Sequence, residues 1–433
     1  MFDTNKAIQE LLAGTEKRAV YLDHAATTPV DKRVFEAMQP YFSENFGNPG
    51  GFYDVGKVGA DAVEAARGSV AEQLGCEAEE VIFTSGGTES DNLAILGVAR
   101  AWRAKNPVPD GTDRHGHIIT SAIEHHAVEM PCKQLEREGF DLTILPVDEY
   151  GRVQAEDVRT ALREDTVLVS VMMANNEIGT LQPIAEIAEV IRNRNEASDS
   201  ANVIFHTDAC QAAGASDLDV QKLGVDLMTI NGGKIYGPKG VGVLYRRKGV
   251  RLKSLMYGGY QERGLRPGTE NVPGIVGFAK ALELAQGDRE AEAERLIELR
   301  DYMIAEFEKR VPKVRLNGHA TERLPNNVNI TFMDIEGESL ILFLNELGIS
   351  AATGSACTSE SLDPSHVIVA TGVPYECAHG SIRFSLGRKT SRADIDYVLE
   401  VLPKIVEILR KISPLNLDPD NLESNLDSPL HDN

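Results

Sequence analysis

Several short stretches of this 433-residue chain carry side chains suited to binding an anion, protonating a ring or moving a proton. In "FTSGGTESDN" a strand runs through Gly86 and Gly87 into a helix beginning near Thr88, with Asp91 three residues on as a capping-box partner. Small residues at a helix start let backbone N–H groups approach an anion, and the helix dipole favours a phosphate there. In "FHTDACQ", Asp208 follows the strand "VIF" and Gln211 stands three residues further on. A carboxylate so placed caps a helix, faces solvent, or holds a pyridine nitrogen protonated through a charge-assisted hydrogen bond. "MMANNEIGT" offers the amides of Asn175 and Asn176 for a carboxylate or a phenolic oxygen, or for a turn. "AIEHHAV" offers His125 or His126 to stack on a ring or relay a proton, with a structural histidine as the ordinary alternative. Lys234 lies among glycines in "NGGKIYGPKG", where most lysines are simply solvated. At successive strand ends, a phosphate cradle, a stacking histidine, an acid for a ring nitrogen and a lysine together describe a pyridoxal phosphate site.

The elements around these stretches are of the kind that brings strand ends together. From about residue 60 to 250, helical patterns such as "GADAVEAARGSVAEQL" alternate with short apolar runs such as "EVIFTS", "TVLVSVMMA", "VIFHTDA" and "VGVLYRR". This alternation predicts an α/β fold with a mostly parallel sheet covered by helices on both faces, and a ligand at the carboxyl ends of its strands. After Gly287 a long charged amphipathic helix leads into "NNVNITFM", "ESLILFLNEL", "SIRFSLG" and a closing helix, the pattern of a smaller α+β unit. The expected division is a large domain over residues 20–285, a small one from 1–19 and 286–415, and an acidic flexible tail, 416–433.

Composition narrows the function further. A formal charge of −22 argues against general affinity for nucleic acid or anionic membrane, so neither is an expected partner. The start "MFDTNKAIQELLAG" lacks the features of a signal peptide and no run of about 18 apolar residues occurs, which places the chain in the cytoplasm. Five cysteines at irregular spacings, without a CxxC pair, suit neither a disulfide framework nor a cysteine-type zinc site, and no metal is expected. Cys76, Cys132 and Cys210 read as buried small apolar groups. Cys357 differs: "AATGSACTSESLDPS" surrounds it with small polar residues and no apolar periodicity, the texture of an exposed loop.

Nine ordered motifs, "YLDHAATTPV", "FTSGGTESDNLAI", "EHHAV", "NNEIGT", "HTDACQ", "KIYGPKGVG", "RPGTENV", "GSACTS" and "SIRFSLGR", closely resemble the group I cysteine desulfurases of the class V aminotransferase superfamily, pyridoxal phosphate enzymes of fold type I. The resemblance covers roughly residues 20 to 415. It implies that Lys234 forms the Schiff base with the cofactor and acts as an acid and base on the substrate, that Asp208 pairs with the pyridinium, and that Gln211 and Asn176 contact the ring hydroxyl. It implies His125 stacked over the ring and moving protons, Gly87, Thr88 and Asn231 at the phosphate, and Thr269 of a neighbouring subunit completing that site in a homodimer. Asn176 and Arg383 would hold the substrate, the guanidinium gripping its carboxylate. Cys357 would take sulfur from L-cysteine as a persulfide, leaving alanine, and would pass it to an acceptor or iron–sulfur scaffold protein, where it could also touch a transferred cluster. A selenocysteine lyase, a class V transaminase or an inactive scaffold are the alternative readings. Two positions depart from the family pattern. Gly233 stands where a phosphate-holding histidine is usual, and "FGNPGGFYDVGK" replaces a segment with serines and a histidine. The first departure implies weaker cofactor retention with the chemistry intact.

Overall fold

Short runs rich in Val, Ile, Leu and Phe, buried on both sides, set the architecture. The computed structural model describes residues 11, 13–106, 116–197, 202–354 and 363–414. Its strands are β1 Val20–Tyr21, β2 Val81–Thr84, β3 His117–Ser121, β4 Asp141–Leu145, β5 Thr166–Ser170, β6 Ile204–Asp208, β7 Leu227–Asn231, β8 Gly242–Arg246, β9 Val314–Leu316, β10 Asn327–Phe332, β11 Ile349–Ser350 and β12 Ser381–Ser385. Seven of them form one sheet in the order β2-β8-β7-β6-β5-β3-β4. Only β8 runs antiparallel to its neighbours, so the sheet is mostly parallel, as the alternating pattern predicts.

Alternate residues of each strand feed two cores. Phe83, Val169, Met228 and Val243 pack on the helices Asp54–Leu74, Ile184–Glu196 and Val272–Gly287. Ile82, Leu168, Leu227 and Leu244 pack on the helices Gly87–Lys105 and His126–Arg137. Such two-sided covering is what right-handed crossovers produce. The helix Asp54–Leu74 starts more than a turn before its expected start, and it ends on Gly75 at φ 65°, the left-handed cap that glycine adopts without strain.

A second, antiparallel sheet has the order β12-β10-β9, and β1 pairs in parallel with β11. These strands share a core with the helices Arg289–Arg310, Gly337–Glu346 and Arg392–Arg410. The closing helix starts on a capping box between Ser391 and Asp394. No helix among the described residues is long and apolar enough to cross a membrane. Cys132 and Cys210 are buried, as expected, whereas Cys76 is half-buried.

Candidate active site

Because β8 is antiparallel to both β2 and β7, strands β2, β3, β5, β6 and β7 all point their carboxyl ends the same way, and the segments leaving them line one cavity of about 210 Å³. Gly87, Thr88, His125, Asn176, Asp208, Gln211, Asn231, Lys234 and Arg383 all line it.

After β2 the chain turns at Gly86, whose φ of 152° and ψ of −176° lie in a region open essentially only to glycine. The helix Gly87–Lys105 starts here without a side-chain cap, so its first N–H groups face the cavity end uncapped by a side chain. A Cβ on Gly87 would stand 2.9 Å from the Cys210 sulfur, so glycine keeps this wall open. The expected capping box does not form. Asp91 instead turns inward from the second turn, is 1% exposed, lines the cavity, and lies 3.6 Å from His206 Nε2. Burial, reinforced by the charge of Asp208, pushes its carboxyl well above the usual range. The cause of the misreading is positional: a capping-box acid sits at N3, and with the helix starting at Gly87 that place is held by Glu89, which accepts from the N–H of Ser85.

After β3, His125 caps the helix His126–Arg137. Its Nδ1 accepts the Ala127 N–H at 3.1 Å, which leaves the proton of the neutral ring on Nε2. Burial lowers its pKa and favours that neutral form. After β5 the two asparagines divide their roles. Asn175 holds the turn, donating to Ile123 O and accepting from the N–H groups of Glu177 and Ile178, while Asn176 lines the cavity. Asp208 ends β6 with its carboxylate buried and accepts the Cys210 N–H at 2.8 Å. Gln211 donates to the Ala25 carbonyl at 2.9 Å.

Asn231 ends β7 and accepts from the Gly233 N–H, capping the single turn Gly232–Lys234. Lys234 Nζ donates to the carbonyl oxygens of Ala25 and Ala26, each at 2.7 Å. Those carbonyls belong to the "DHAATT" stretch, and a backbone oxygen leaves no side-chain signal in a sequence. Arg383, on β12, is 2% exposed. It donates to Asn176 O at 3.0 Å and pairs with Asp23 Oδ1 at 2.8 Å, while its Nε has no partner. Asp23, Asp91 and Cys210 are among the side chains of this neighbourhood that sequence reasoning did not assign to it, as are Ala127, Met172 and Ala174.

One expected residue lies elsewhere, and one falls outside the described residues. Thr269 is exposed and is not part of this chain's own cavity wall. Cys357 lies outside the described residues. The chain leaves the described structure at Gly354 and re-enters at Asp363.

Comparison with known proteins places this arrangement. The model of the family "Aminotransferase class-V" matches residues 20–398. A cysteine desulfurase IscS from Methanosarcina thermophila is 54% identical over 401 residues, 93% of this chain and 95% of the relative. A cysteine desulfurase IscS from Dictyoglomus turgidum is 52% identical over 398 residues, 92% of this chain and 97% of the relative. A solved structure of a NifS-like protein superposes with a TM-score of 0.82 at 36% identity, covering 90% of this chain and all of that one. Sequence, topology and cavity agree, and the chain belongs to the aminotransferase class-V family, among its cysteine desulfurases.

Proposed function

We propose that this chain takes sulfur from L-cysteine with pyridoxal 5′-phosphate, using Lys234 as the cofactor-bonding amine and Cys357 as the sulfur-accepting thiol. The observation that carries this reading is the meeting of Lys234, Asp208, His125, Gln211 and Arg383 in one cavity, at the carboxyl ends of a parallel sheet. The residues present suit the cofactor. An uncapped helix start beside Gly87 and Thr88 suits a phosphate, the buried Asp208 suits a protonated ring nitrogen, and the unpartnered Arg383 Nε has hydrogen-bonding capacity left for a carboxylate. When bound, pyridoxal phosphate supplies an electron-withdrawing ring that labilises bonds at the substrate's α and β carbons.

The chain's own groups do the rest. Asp208 keeps a positive ring nitrogen paired, and the neutral His125, in the cavity wall, carries its proton on Nε2. Arg383 orients the substrate carboxylate, its guanidinium held in place by Asp23 and by the Asn176 carbonyl. Lys234 Nζ moves protons at the substrate carbons. The Cys357 thiolate attacks the substrate sulfur. An S–S bond forms as the Cβ–S bond breaks, the bonding pair stays with the carbon, and protonation there gives alanine. The persulfide then passes to an acceptor thiol or a cluster scaffold.

The same reading makes the protein a homodimer. Phe42, Phe46, Phe52, Tyr257 and Tyr260 are exposed, Phe52 completely, and the last two lie on the stretch that carries Thr269. Pairing of such aromatic surface with a second copy would bring Thr269 to the neighbour's cavity. The division into domains over residues 20–285 and 1–19 with 286–415 is part of the proposal, supported by the separate cores of the two sheets.

The test is alanine release from L-cysteine by cofactor-loaded protein with a reducing thiol, beside a Cys357→Ala variant. Release by the native chain and its collapse in the variant is expected. Undiminished release by the variant would refute the assigned thiol.

A further inference from the structure

The stretch from His24 to Thr28 borders two cavities. Ala25 and Ala26 line the one that holds Lys234, while His24, Thr27 and Thr28 line a second, of about 970 Å³. Thr28 is fastened to the Lys234 turn: its Oγ1 donates to Gly233 O at 3.0 Å and accepts the Tyr236 N–H at 2.8 Å. None of the aromatic residues assigned above to the dimer face lines this second cavity. It has rings of its own. Those of Tyr21 and His24 meet edge to face at 4.8 Å, and Tyr236 stands 6.2 Å from His24. Tyr236 keeps a φ of 62°, uncommon for a bulky residue, and lines the second cavity although Lys234, two residues before it, lines the first. Phe35 adds a ring that is 55% exposed.

Cations line the cavity as well. They are Lys32, Lys239, Arg388 and Lys389, against the two acids Asp31 and Asp394. Both acids are already committed to arginines: Asp31 pairs with Arg33 at 2.8 Å and with Arg388 at 2.9 Å, and Asp394 pairs with Arg18 at 2.7 Å. Lys239 Nζ donates to a backbone oxygen, that of Thr28, at 2.6 Å. Among the described residues no carboxylate pairs with Lys239 or with Lys389. In a chain of formal charge −22, a cavity with two such lysines favours an anion. Thr27 Oγ1, buried in the same wall, has no hydrogen-bond partner and leaves a hydroxyl for a polar group of the ligand.

We propose that this second cavity binds a phosphorylated aromatic ring, with the ring against Tyr21 and Phe35 and the phosphate at Lys239 and Lys389. Its volume is that of a cavity for a whole organic ligand and far exceeds what inorganic phosphate needs. Aromatic faces stack flat rings of many kinds, and lysines meet a phosphate as point charges. Two sources offer this chemistry, a mononucleotide and a free phosphorylated pyridine, and the test separates them. The site stands whether or not Cys357 accepts sulfur.

The test is isothermal titration of the full chain, loaded with pyridoxal phosphate and freed of excess, with AMP, pyridoxine 5′-phosphate, adenosine and inorganic phosphate. One site per chain is expected for at least one of the two phosphorylated rings, with adenosine and inorganic phosphate each at least tenfold weaker. Tighter AMP would assign the site to a nucleotide, and tighter pyridoxine phosphate to a phosphorylated pyridine. Lys239→Ala, Lys389→Ala and Phe35→Ala are each expected to weaken binding roughly tenfold. Lys222→Ala, which removes an exposed lysine that does not line the cavity, is expected to leave affinity unchanged. Lys389 and Phe35 are exposed, so their variants keep the proposal open to refutation if Lys239→Ala, which also loses its bond to Thr28, does not fold. The proposal is overturned if neither phosphorylated ring binds at millimolar concentration, if inorganic phosphate or adenosine binds as tightly, or if the lysine and Phe35 variants bind like the native chain.

Discussion

Gly233 stands beside the cofactor-bonding lysine, in the position where a histidine is usual in the resembling family. Its φ is not positive, and a Cβ there would meet only ordinary contacts, Asn231 Oδ1 at 3.6 Å and Lys239 Cγ at 3.7 Å. A side chain can therefore be restored. Gly233→His is expected to slow loss of pyridoxal phosphate on dialysis at least tenfold, the effect of one charge-assisted contact worth about 1.5–3 kcal/mol. An unchanged rate would show that the phosphate is held elsewhere. Glu124 makes a second, independent prediction. Burial raises its carboxyl to about 8, from an unfolded value of about 4.5. The folded chain holds that proton where the unfolded chain has lost it, so this group's contribution to stability falls as pH rises from 4.5 to 8. His206, lowered by burial to about 4, acts oppositely between 4 and 6.5. Above pH 6.5 the glutamate dominates. Glu124→Gln is expected to gain about 2 kcal/mol on the native chain between pH 6.5 and 8, read from urea unfolding at the two pH values.

At the scale of elements, the 256–270 stretch that bears Thr269 is tied to the body of the fold by a fully buried ion pair, beside a partly buried one between Arg266 and Glu89. Arg67, on the helix Asp54–Leu74, donates to both oxygens of Glu262 at 2.9 and 2.7 Å, and Glu262 also accepts the Phe83 N–H at 2.9 Å. Glu262→Ala would leave the buried guanidinium with only the exposed Glu64, 3.1 Å from its Nε, as a charge partner. The expected loss is about 3–5 kcal/mol of stability, measured by denaturant unfolding. Most elements were legible in the sequence because period-2 and period-3.6 patterns report burial directly, as in "VIFHTDA" and the closing helix Arg392–Arg410. What was not legible is what pattern does not encode. Asp91 has the spacing of a cap but is claimed by the core. Arg67 and Glu262 are 195 residues apart, and Lys234 is held by backbone carbonyls 208 and 209 residues away. The site residues could be nominated because each follows an apolar strand; their meeting in one cavity required the strand order.

At the scale of the whole molecule, the exposed aromatics predict association. Sedimentation should give a dimer, and a Phe52→Glu, Tyr257→Glu double variant should sediment as a monomer that retains pyridoxal phosphate poorly, because Thr269 no longer reaches a second cavity. A monomeric native chain with full cofactor retention would refute this. The buried acids beside the cavity have another consequence. The formal charge of −22 counts every carboxylate as ionised, but burial raises the carboxyl of Asp91 and lifts that of Glu124 to about 8, which leaves Glu124 largely protonated at neutral pH. The folded molecule is therefore less anionic than its composition, and unfolding at neutral pH discharges the proton of Glu124, about one per chain, into solution. Calorimetry should register this as a heat of unfolding that depends on the ionisation enthalpy of the buffer, so that part of the melting endotherm belongs to the solvent and not to the protein.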